Sequence, residues 1–408
     1  MSSLPQPSSD ALAHSKQLCD LIHHDIAIQG GWIPFSRFME LALYAPGLGY
    51  YSAGAHKFGE AGDFVTAPEI SSLFGRTLAR QVAEMMAQSV PYIIELGAGS
   101  GKLAVDLLGE LEKLNSLPER YDILEVSADL RQRQNAFLQQ HLPHLMSRVH
   151  WLDVLPEKIS GVVLANEVLD ALPVHLVRWA QGNITERGVS SAAVSIPLSL
   201  ELNAAGLPSV QKFVWHERAP QSHMLHHFAQ EVAQRVTGQI AATDTVLSEV
   251  SLTARGLVGS LSERLQQGVM LLIDYGFGAR EYYHPQRVNG TLMCHYRHHA
   301  HDDPFFLPGL QDITAHVDFT AVAEAAIDRG LHLYGYTTQA HFLINCGITE
   351  LLKTTSPDKV LEYLPLSTQL QKLTSPAEMG ELFKVIALGK GIEGGLCGFM
   401  AGDKSRGL

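Results

Sequence analysis

Residues 91–101 read Pro91-Tyr-Ile-Ile-Glu-Leu-Gly-Ala-Gly-Ser-Gly101, a short apolar run that ends in an acid and then in glycines at alternate positions. This pattern predicts a buried strand that turns sharply into a helix over Lys102 to Leu114. Glycine at Gly97, Gly99 and Gly101 lets the backbone adopt positive φ and approach a ligand closely, and the first N–H groups of the helix face that ligand. The stretch therefore predicts a site for a nucleotide-like cofactor.

The spacing of the glycines helps to distinguish between cofactors. The pattern G-x-G-x-x-G is typical of dinucleotide sites, and its last glycine would fall at Lys102 in this chain. The chain has G-x-G-x-G instead. Glu95 can accept a hydrogen bond from a cationic amino group, and Glu125, which ends a second predicted strand 28 residues after Gly97, can hold a ribose diol. S-adenosylmethionine has an amino-acid end and a ribose but no pyrophosphate, so the pattern favours it. A dinucleotide and a purely structural turn remain the alternatives.

The rest of the chain alternates between helical and strand patterns. Helical spacing covers residues 11–29, 34–44 and 69–88, and again 319–329. Apolar strands are predicted at residues 92–96, 121–126, 149–152, 161–165 and 269–275, with helical segments between most of them, and a further strand at 331–336. Such alternation is typical of an α/β fold with a doubly wound, mostly parallel sheet.

These patterns also suggest domain boundaries. We expect a disordered lead over residues 1–10, an N-terminal helical region over 11–88, and a core built from 89–174 and 254–340. Short alternating segments between His175 and Val214, such as Ser199 to Asn203, predict a small β-rich insertion, which we extend over residues 175–253 as a substrate subdomain. Residues 341–408 are predicted to be mostly helical.

Composition sets outer bounds on function. The chain has 408 residues, of which 46% are hydrophobic, enough for one large domain with additions or for two domains. Its four cysteines are far apart and form no C-x-x-C pair, which favours a reducing, cytoplasmic compartment. No targeting segment or membrane-spanning run is predicted. The net charge of −12 argues against non-specific nucleic-acid binding; it fits simple solubility and would also suit a basic protein substrate.

Polar residues follow the strand at 161–165, where ligands bind in open parallel sheets. Asn166, Glu167 and Asp170 could orient an attacking nitrogen or oxygen or accept its proton; alternatively, Asn166 or Asp170 could cap a following helix. Asp153, after the strand at 149–152, is placed either to accept from an adenine amino group or to form a turn.

Several segments spread from about residue 33 to 390 form a recognisable set. They are Tyr44-Ala-Pro-Gly-Leu-Gly-Tyr-Tyr51, Gly62-Asp-Phe-Val-Thr-Ala-Pro-Glu-Ile-Ser71, Glu95-Leu-Gly-Ala-Gly-Ser-Gly101, Asn166-Glu-Val-Leu-Asp-Ala-Leu-Pro-Val174, Asp274-Tyr-Gly276 and Gln311-Asp-Ile-Thr-Ala-His-Val-Asp-Phe319. Together they resemble the MidA family of class I methyltransferases. The resemblance implies a Rossmann-like domain that binds S-adenosylmethionine.

The resemblance also implies a substrate class, because a mitochondrial relative dimethylates an arginine on a complex I subunit. The expected substrate is a protein with an accessible arginine, either a complex I subunit or its bacterial equivalent. Arginine must lose a proton around transfer, which assigns Glu167 and Asp170 to the guanidinium and Asn166 to its orientation. Other arginine methyltransferases usually offer two glutamates on one loop, whereas this chain pairs a glutamate with an aspartate.

The segment Gly62 to Ser71 has two interpretations. Its Thr-Ala-Pro-Glu sequence is typical of a helix start and nothing more. The resemblance favours a lid over the methionine end of the cofactor, with Asp63, Thr66 and Pro68 near it, because a lid that excludes water strengthens charge interactions.

The histidine-rich run from His295 to Asp303 suggests a metal site, but adjacent residues on a strand point to opposite faces, so we expect no metal there. By resemblance, residues 290–304 and 311–316 line the substrate side.

Two other classes of function stay open: a non-catalytic assembly protein that keeps the cofactor fold, and an NAD-dependent oxidoreductase. The sequence leaves the oligomeric state open, a homodimer included.

Overall fold

The computed structural model describes residues 4–53, 66–194, 210–235 and 245–408. The chain forms two compact units. The first comprises Met1–Asp63, Leu172–Thr253 and Tyr283–Ala315, and the second comprises Phe64–Ala171, Ala254–Tyr282 and His316–Leu408. The predicted N-terminal helical region, residues 11–88, is therefore divided between the units, whereas the predicted substrate subdomain, residues 175–253, falls entirely within the first one.

The helices of the described residues are numbered in chain order. They are α1 (Ser9–Ile28), α2 (Phe35–Tyr44), α3 (Ala67–Ile70), α4 (Ser72–Ala87), α5 (Lys102–Lys113), α6 (Ala128–His141), α7 (His223–Arg235), α8 (Leu252–Arg264), α9 (Ala279–Tyr282), α10 (Phe319–Ile327), α11 (Gln339–Asn345), α12 (Ile348–Leu352), α13 (Val360–Thr374) and α14 (Met379–Leu382). None of them has the length and apolar character that crossing a bilayer requires.

The strands of the described residues are numbered in the same way. They are β1 (Ile33–Pro34), β2 (Tyr92–Leu96), β3 (Arg120–Leu124), β4 (Val149–Leu152), β5 (Ile159–Asn166), β6 (His175–Ala180), β7 (Asn183–Val194), β8 (Val210–Arg218), β9 (Thr245–Val250), β10 (Leu265–Phe277), β11 (Met293–Tyr296), β12 (His299–His301), β13 (Asp312–Thr314), β14 (Val317–Asp318), β15 (His332–Thr338) and β16 (Phe383–Lys390).

The second unit is built on one sheet of strand order β15-β16-β10-β5-β2-β3-β4, with β14 beside β10. The strands β4, β3, β2, β5 and β10 run parallel to one another, whereas β16 is antiparallel to both of its neighbours. Parallel strands are covered on both faces, and β10 accordingly is an apolar run buried along most of its length. The predicted α/β fold with a doubly wound, mostly parallel sheet is confirmed.

The C-terminal part differs from the prediction. Residues 341–408 were expected to be mostly helical, but Phe383–Lys390 forms strand β16 between β10 and β15, and all of it except Lys390 is buried. A short apolar run has the same appearance in a buried strand as in a buried helix, so periodicity alone does not separate them.

The helix predicted over residues 69–88 is two helices. Ser71 lies between them in an extended conformation, with φ −158°, and its side chain accepts a hydrogen bond from Leu73 N at 3.2 Å to start α4. Thr66 occupies the N-cap position of α3, as the capping sequence predicted, but its side chain makes no capping bond there.

The first unit contains an antiparallel sheet, β1-β7-β6-β9 with β8 beside β7, and a small sheet of order β12-β11-β13. Helices α1 and α2 bury Leu18, Ile22 and Phe38 in its core. Helix α1 begins at Ser9, where the Ser8 hydroxyl accepts from Ala11 N at 3.2 Å, so the expected disordered lead does not extend to residue 10. The predicted β-rich insertion also holds helix α7, and its predicted strand at Ser199 to Asn203 lies outside the described residues.

Candidate active site

The sheet of the second unit reverses its strand order between β2 and β5. The chain passes from β2 outward to β3 and β4, then returns to the other side of β2 through β5 and β10. The parallel register pairs Leu96 with Ala165, so the loops that follow β2 and β5 begin side by side. In open α/β sheets, ligands bind at the carboxyl ends of the strands at such a reversal. This edge is the candidate active site.

The glycine loop after β2 has the predicted backbone. Gly97, Gly99 and Gly101 have φ of 60°, 55° and 85°, a region that favours glycine. Gly101 is the N-cap of α5, and a Cβ placed on it would lie 3.4 Å from Gln134 Cα. A Cβ on Gly99 would meet nothing within 4 Å. The loop therefore leaves open space in front of Gly99, beside the start of a helix, which fits the close approach of a ligand.

A buried glutamine links the glycine loop to the next strand. Gln134, on α6, donates from Nε2 to Gly99 O at 2.9 Å and to Glu125 Oε2 at 3.0 Å, and its Oε1 accepts from Trp151 Nε1 at 2.9 Å. Glu125 Oε1 accepts from Ser127 N at 3.0 Å. The predicted ribose-binding carboxylate is thus fixed in orientation. Sequence reasoning missed Gln134, because nothing in a polar helix marks it as buried.

Glu95 lies beneath the loop and is only 2% exposed. Tyr121 donates its hydroxyl hydrogen to Glu95 Oε2 at 2.7 Å. Burial raises the pKa of Glu95 to about 7, and the nearby charge of Glu125 adds to this effect. The predicted contact of Glu95 with the amino group of a cofactor stays a prediction.

Asp153 is exposed and ion-paired. Its Oδ1 accepts from Arg131 at 2.7 Å, and Arg131 also donates from Nε to Glu125 O at 2.6 Å. The arginine therefore joins the ends of β3 and β4. The alternative roles of Asp153, an adenine acceptor or a turn former, both stay predictions.

The predicted lid is only partly described. Asp63 lies outside the described residues, whereas Thr66 and the buried Pro68 belong to the start of α3. Ala67 N donates to Glu167 Oε1 at 3.3 Å, and Glu69 accepts a short hydrogen bond from the Ser100 hydroxyl. Helix α3 is thus bonded both to the glycine loop and to the turn that follows β5.

The three residues predicted to act in catalysis lie together in this turn, residues 166–170, which we call the acidic turn. Glu167 has a φ of 55°, and its Oε1 also accepts from Asn166 Nδ2 at 3.0 Å. Asp170 is 5% exposed, and burial raises its pKa to about 6 even though Tyr275 donates a hydrogen bond to it. Asn166 Oδ1 and Asp170 Oδ1 are buried and have no hydrogen-bond partner among the described residues. The alternative in which Asn166 or Asp170 caps a following helix is wrong, because turns and then β6 follow.

A third carboxyl group, which the sequence did not single out for a role, supports the acidic turn. Asp274 lies on β10, the strand next to β5, and is 1% exposed. Its Oδ2 accepts from the N–H groups of Val168, Leu169 and Asp170, and its Oδ1 accepts from Tyr275 N at 2.9 Å. Burial, and after it the charges of Asp170 and Glu167, raise the pKa of Asp274 above its usual range.

The remaining predicted segments are divided between the two units, because residues 290–304 and 311–315 belong to the first and His316 belongs to the second. His316 packs its ring edge-on against Tyr275 and Phe277, with centroids 5.2 and 5.3 Å apart. His295 and His301 lie on the paired strands β11 and β12 of the first unit. Across the described ranges, no group of three or more His, Cys, Asp or Glu side chains is arranged to hold a metal ion. The predicted substrate-side role of residues 290–304 and 311–316 stays a prediction.

Comparison with known proteins identifies the family. The model of a family described as S-adenosyl-L-methionine-dependent methyltransferases, Methyltransf_28, matches residues 76–337. The chain belongs to this family. It is 30% identical to the protein arginine methyltransferase NDUFAF7 homolog, mitochondrial, of Drosophila melanogaster, over 95% of this chain and 88% of that one. It is also 30% identical to the Homo sapiens protein arginine methyltransferase NDUFAF7, mitochondrial, over 88% and 80% of the two chains.

Solved structures agree with this assignment. A Burkholderia thailandensis protein crystallised with S-adenosyl-homocysteine is 48% identical, covers 100% of both chains and superposes with a TM-score of 0.89. The resemblance to MidA and the Rossmann-like class I methyltransferase fold are confirmed. The cofactor is S-adenosylmethionine, which the open space at Gly99 and the oriented carboxylate of Glu125 fit. The chain is an S-adenosylmethionine-dependent methyltransferase.

Proposed function

We propose that this methyltransferase modifies the guanidinium group of an arginine in a protein substrate. The observation that carries the proposal is the surplus of acceptors at the acidic turn. Glu167, Asp170 and Asp274 interact there, and Asn166 Oδ1 and Asp170 Oδ1 are buried without a hydrogen-bond partner among the described residues. A guanidinium carries several N–H donors and no acceptor, so it complements such a site. The names of the relatives support the same substrate class.

Each residue of the acidic turn has a separate part in this proposal. The cofactor supplies a methyl group on a positively charged sulfur. An attacking nitrogen must lie about 3 Å from that methyl carbon, which makes positioning the main task of the protein. Glu167 and Asn166 hold the guanidinium in place. Asp170 takes the proton that the guanidinium loses, because its pKa of about 6 brings it closer to neutral pH than an ordinary aspartate.

The cofactor is held by the glycine loop and Glu125 in the same proposal. The backbone from Gly97 to Gly101 lies against its amino-acid end, and Glu125 binds the ribose hydroxyl groups. Thr66 and Pro68 cover the methionine end, while Glu95 and Asp153 serve the amino group and the adenine. We further propose a basic segment of a respiratory complex I subunit, or of its bacterial equivalent, as the substrate, which the net charge of −12 would attract.

The test is transfer of radiolabel from S-[methyl-³H]adenosylmethionine to proteins in a lysate of cells that lack this chain, followed by hydrolysis of the labelled band. We expect labelled methylarginine. Methyl-lysine alone, or label only on small molecules, would refute the arginine assignment. Binding of S-adenosylhomocysteine without any transfer would instead support a non-catalytic assembly protein.

The same assay separates the roles of the carboxylates. Glu167→Gln and Asp170→Asn should each lower methyl transfer by about 100-fold or more while leaving the affinity for S-adenosylhomocysteine within a few-fold. Glu110→Gln is a matched control, because Glu110, like Asp170, is buried in the second unit, but it lies on α5 and pairs with Arg76 of α4. Normal transfer by Glu167→Gln would remove that residue from the mechanism, and a parallel loss of cofactor binding would assign it to the cofactor instead.

A further inference from the structure

The shape of the acidic turn depends on a side chain from the neighbouring strand. Asp274 Oδ2 accepts three consecutive backbone N–H groups, those of Val168, Leu169 and Asp170, at 3.2, 2.9 and 3.3 Å. No helix follows the turn, so no regular ladder supplies acceptors for these donors. One carboxylate oxygen at the end of β10 therefore takes the place of a secondary-structure partner.

The turn needs this support because its first residue after β5 adopts an unfavourable conformation. Glu167 has a φ of 55°, which residues other than glycine rarely adopt. Its N–H donates to Ile273 O at 2.9 Å, and the next three N–H groups go to Asp274. The end of β10 thus supplies the acceptors for four consecutive N–H groups, from Glu167 to Asp170. Such an over-determined conformation persists only where surrounding bonds impose it, and it is concentrated at functional sites.

We infer that Asp274 is a positioning residue for methyl transfer, which holds the acidic turn so that Asn166, Glu167 and Asp170 converge on the acceptor group. This inference rests on the proposed function, since it assumes that those side chains serve the acceptor. Asp274 itself is 1% exposed, and its oxygens are occupied by backbone donors, so it acts through the turn. The glycine loop and Glu125 are held by other bonds, through Gln134, and do not require Asp274.

The test compares Asp274→Asn with Asp274→Leu. Asparagine keeps an oxygen that can accept the three N–H groups, whereas leucine has a similar size and no acceptor. We expect transfer per S-adenosylhomocysteine-binding site to fall about 100-fold or more in Asp274→Leu and only about 10-fold in Asp274→Asn. The affinity of both variants for S-adenosylhomocysteine should stay within about 3-fold of the parent protein, because the glycine loop and Glu125 are held through Gln134. Transfer is counted per binding site because a merely structural defect would reduce the number of binding sites without changing transfer per site.

Asp122→Leu is the matched control. Asp122 is also fully buried on a strand of the same sheet and bonded to Tyr92 and Arg120, but it lies on β3, away from the carboxyl end where the acidic turn begins. It should lower stability without lowering transfer per binding site. Equal transfer by Asp274→Leu and the parent protein, or a joint loss of transfer and cofactor affinity, would overturn the inference.

A second measurement does not depend on the variants folding. In the parent protein, hydrogen exchange of the peptide that contains Val168, Leu169 and Asp170 should be at least about 100-fold slower than in an unstructured peptide, although these residues belong to a turn. Unprotected amides would overturn the inference. The amino acid that carries the label tests the proposed function separately. If the label lies on an acceptor other than arginine and is still lost in Asp274→Leu, the arginine assignment is refuted and the role of Asp274 stands.

Discussion

Replacing Gln134 with leucine should weaken both the fold of the second unit and its hold on the cofactor. The substitution keeps a similar volume but removes the hydrogen bonds to Gly99 O, Glu125 Oε2 and Trp151 Nε1, which are 2.9, 3.0 and 2.9 Å long. Gly99 is exposed, so its carbonyl can turn to water. The carboxylate of Glu125, 5% exposed, and the indole N–H of Trp151 lose a partner in a mostly buried place.

The size of the effect follows from these losses. A buried polar group left without a partner costs about 1–3 kcal/mol, so the two groups together should lower the free energy of unfolding by about 2–6 kcal/mol. For a unit of this size, that corresponds to a fall in the thermal midpoint of roughly 4–24 °C. Glu125 keeps only one of its two donors, from Ser127 N, and we expect the affinity for S-adenosylhomocysteine to fall about 10-fold, or by about 1.4 kcal/mol.

Gln81→Leu provides the matched control. Gln81 is also 0% exposed in the second unit, with Nε2 bonded to Glu84 at 2.8 Å and Oε1 accepting from Gly398 N at 2.7 Å, but it lies on α4 and contacts neither the glycine loop nor Glu125. Differential scanning fluorimetry should show a similar fall in midpoint for both variants, and calorimetric titration should show weaker cofactor binding for Gln134→Leu alone. Equal cofactor affinities in the two variants would refute the reasoning that the glutamine orients Glu125.

Three further predictions concern the cofactor side of the site. Gly99→Val should weaken S-adenosylhomocysteine binding at least about 100-fold by calorimetry, because a branched side chain fills the open space and φ is 55° there; unchanged affinity would sink the placement of the cofactor. Glu125→Ala should weaken the same binding by about 1–3 kcal/mol, and a smaller loss than about 3-fold would contradict its contact with the ribose. Burial raises the pKa of Glu95 from 4.5 to about 7, so the folded protein favours the protonated carboxyl group. The contribution of this group to the free energy of unfolding is fully present below about pH 4.5 and is lost as the pH rises through 7. In urea denaturation, Glu95→Gln should therefore raise the free energy of unfolding by about 3 kcal/mol at pH 8.5 and change it little at pH 5, and parallel pH profiles for the two proteins would contradict this.

The sequence predicted the parallel part of the sheet because each strand there is an apolar run with a sharp end. Strands β2 and β4 have the predicted bounds, residues 92–96 and 149–152. Strand β16 was missed because its pairing is non-local. Its residues bond to β10, with Val269 opposite Gly389, and nothing near Phe383–Lys390 in sequence signals a strand partner about 120 residues away.

The sequence predicted those site residues whose type and position indicate their chemistry, and it missed those whose role depends on contacts made only in the folded chain. Glycines at alternate positions and acids at strand ends are readable, because their positions follow from the strand pattern. Gln134 and Asp274 act through bonds to the backbone of other elements, the glycine loop and the acidic turn. Gln134 is unremarkable in a polar helix, and Asp274 was recognised only as part of a motif without a role, so their importance appears only once β2, β5 and β10 lie side by side.

The reversal of strand order explains why the two sets of supports can be separated by experiment. The glycine loop follows β2 and is tied through Gln134 to the end of β3, whereas the acidic turn follows β5 and is tied through Asp274 to the end of β10. Because β2 and β5 are neighbours, the loop and the turn begin at adjacent positions, yet Gln134 and Asp274 come from opposite sides of the reversal. Removing Gln134 should therefore act on cofactor affinity and removing Asp274 on transfer per bound cofactor. Combining Gln134→Leu with Asp274→Asn should give additive losses in free energy, because the two residues share no partner.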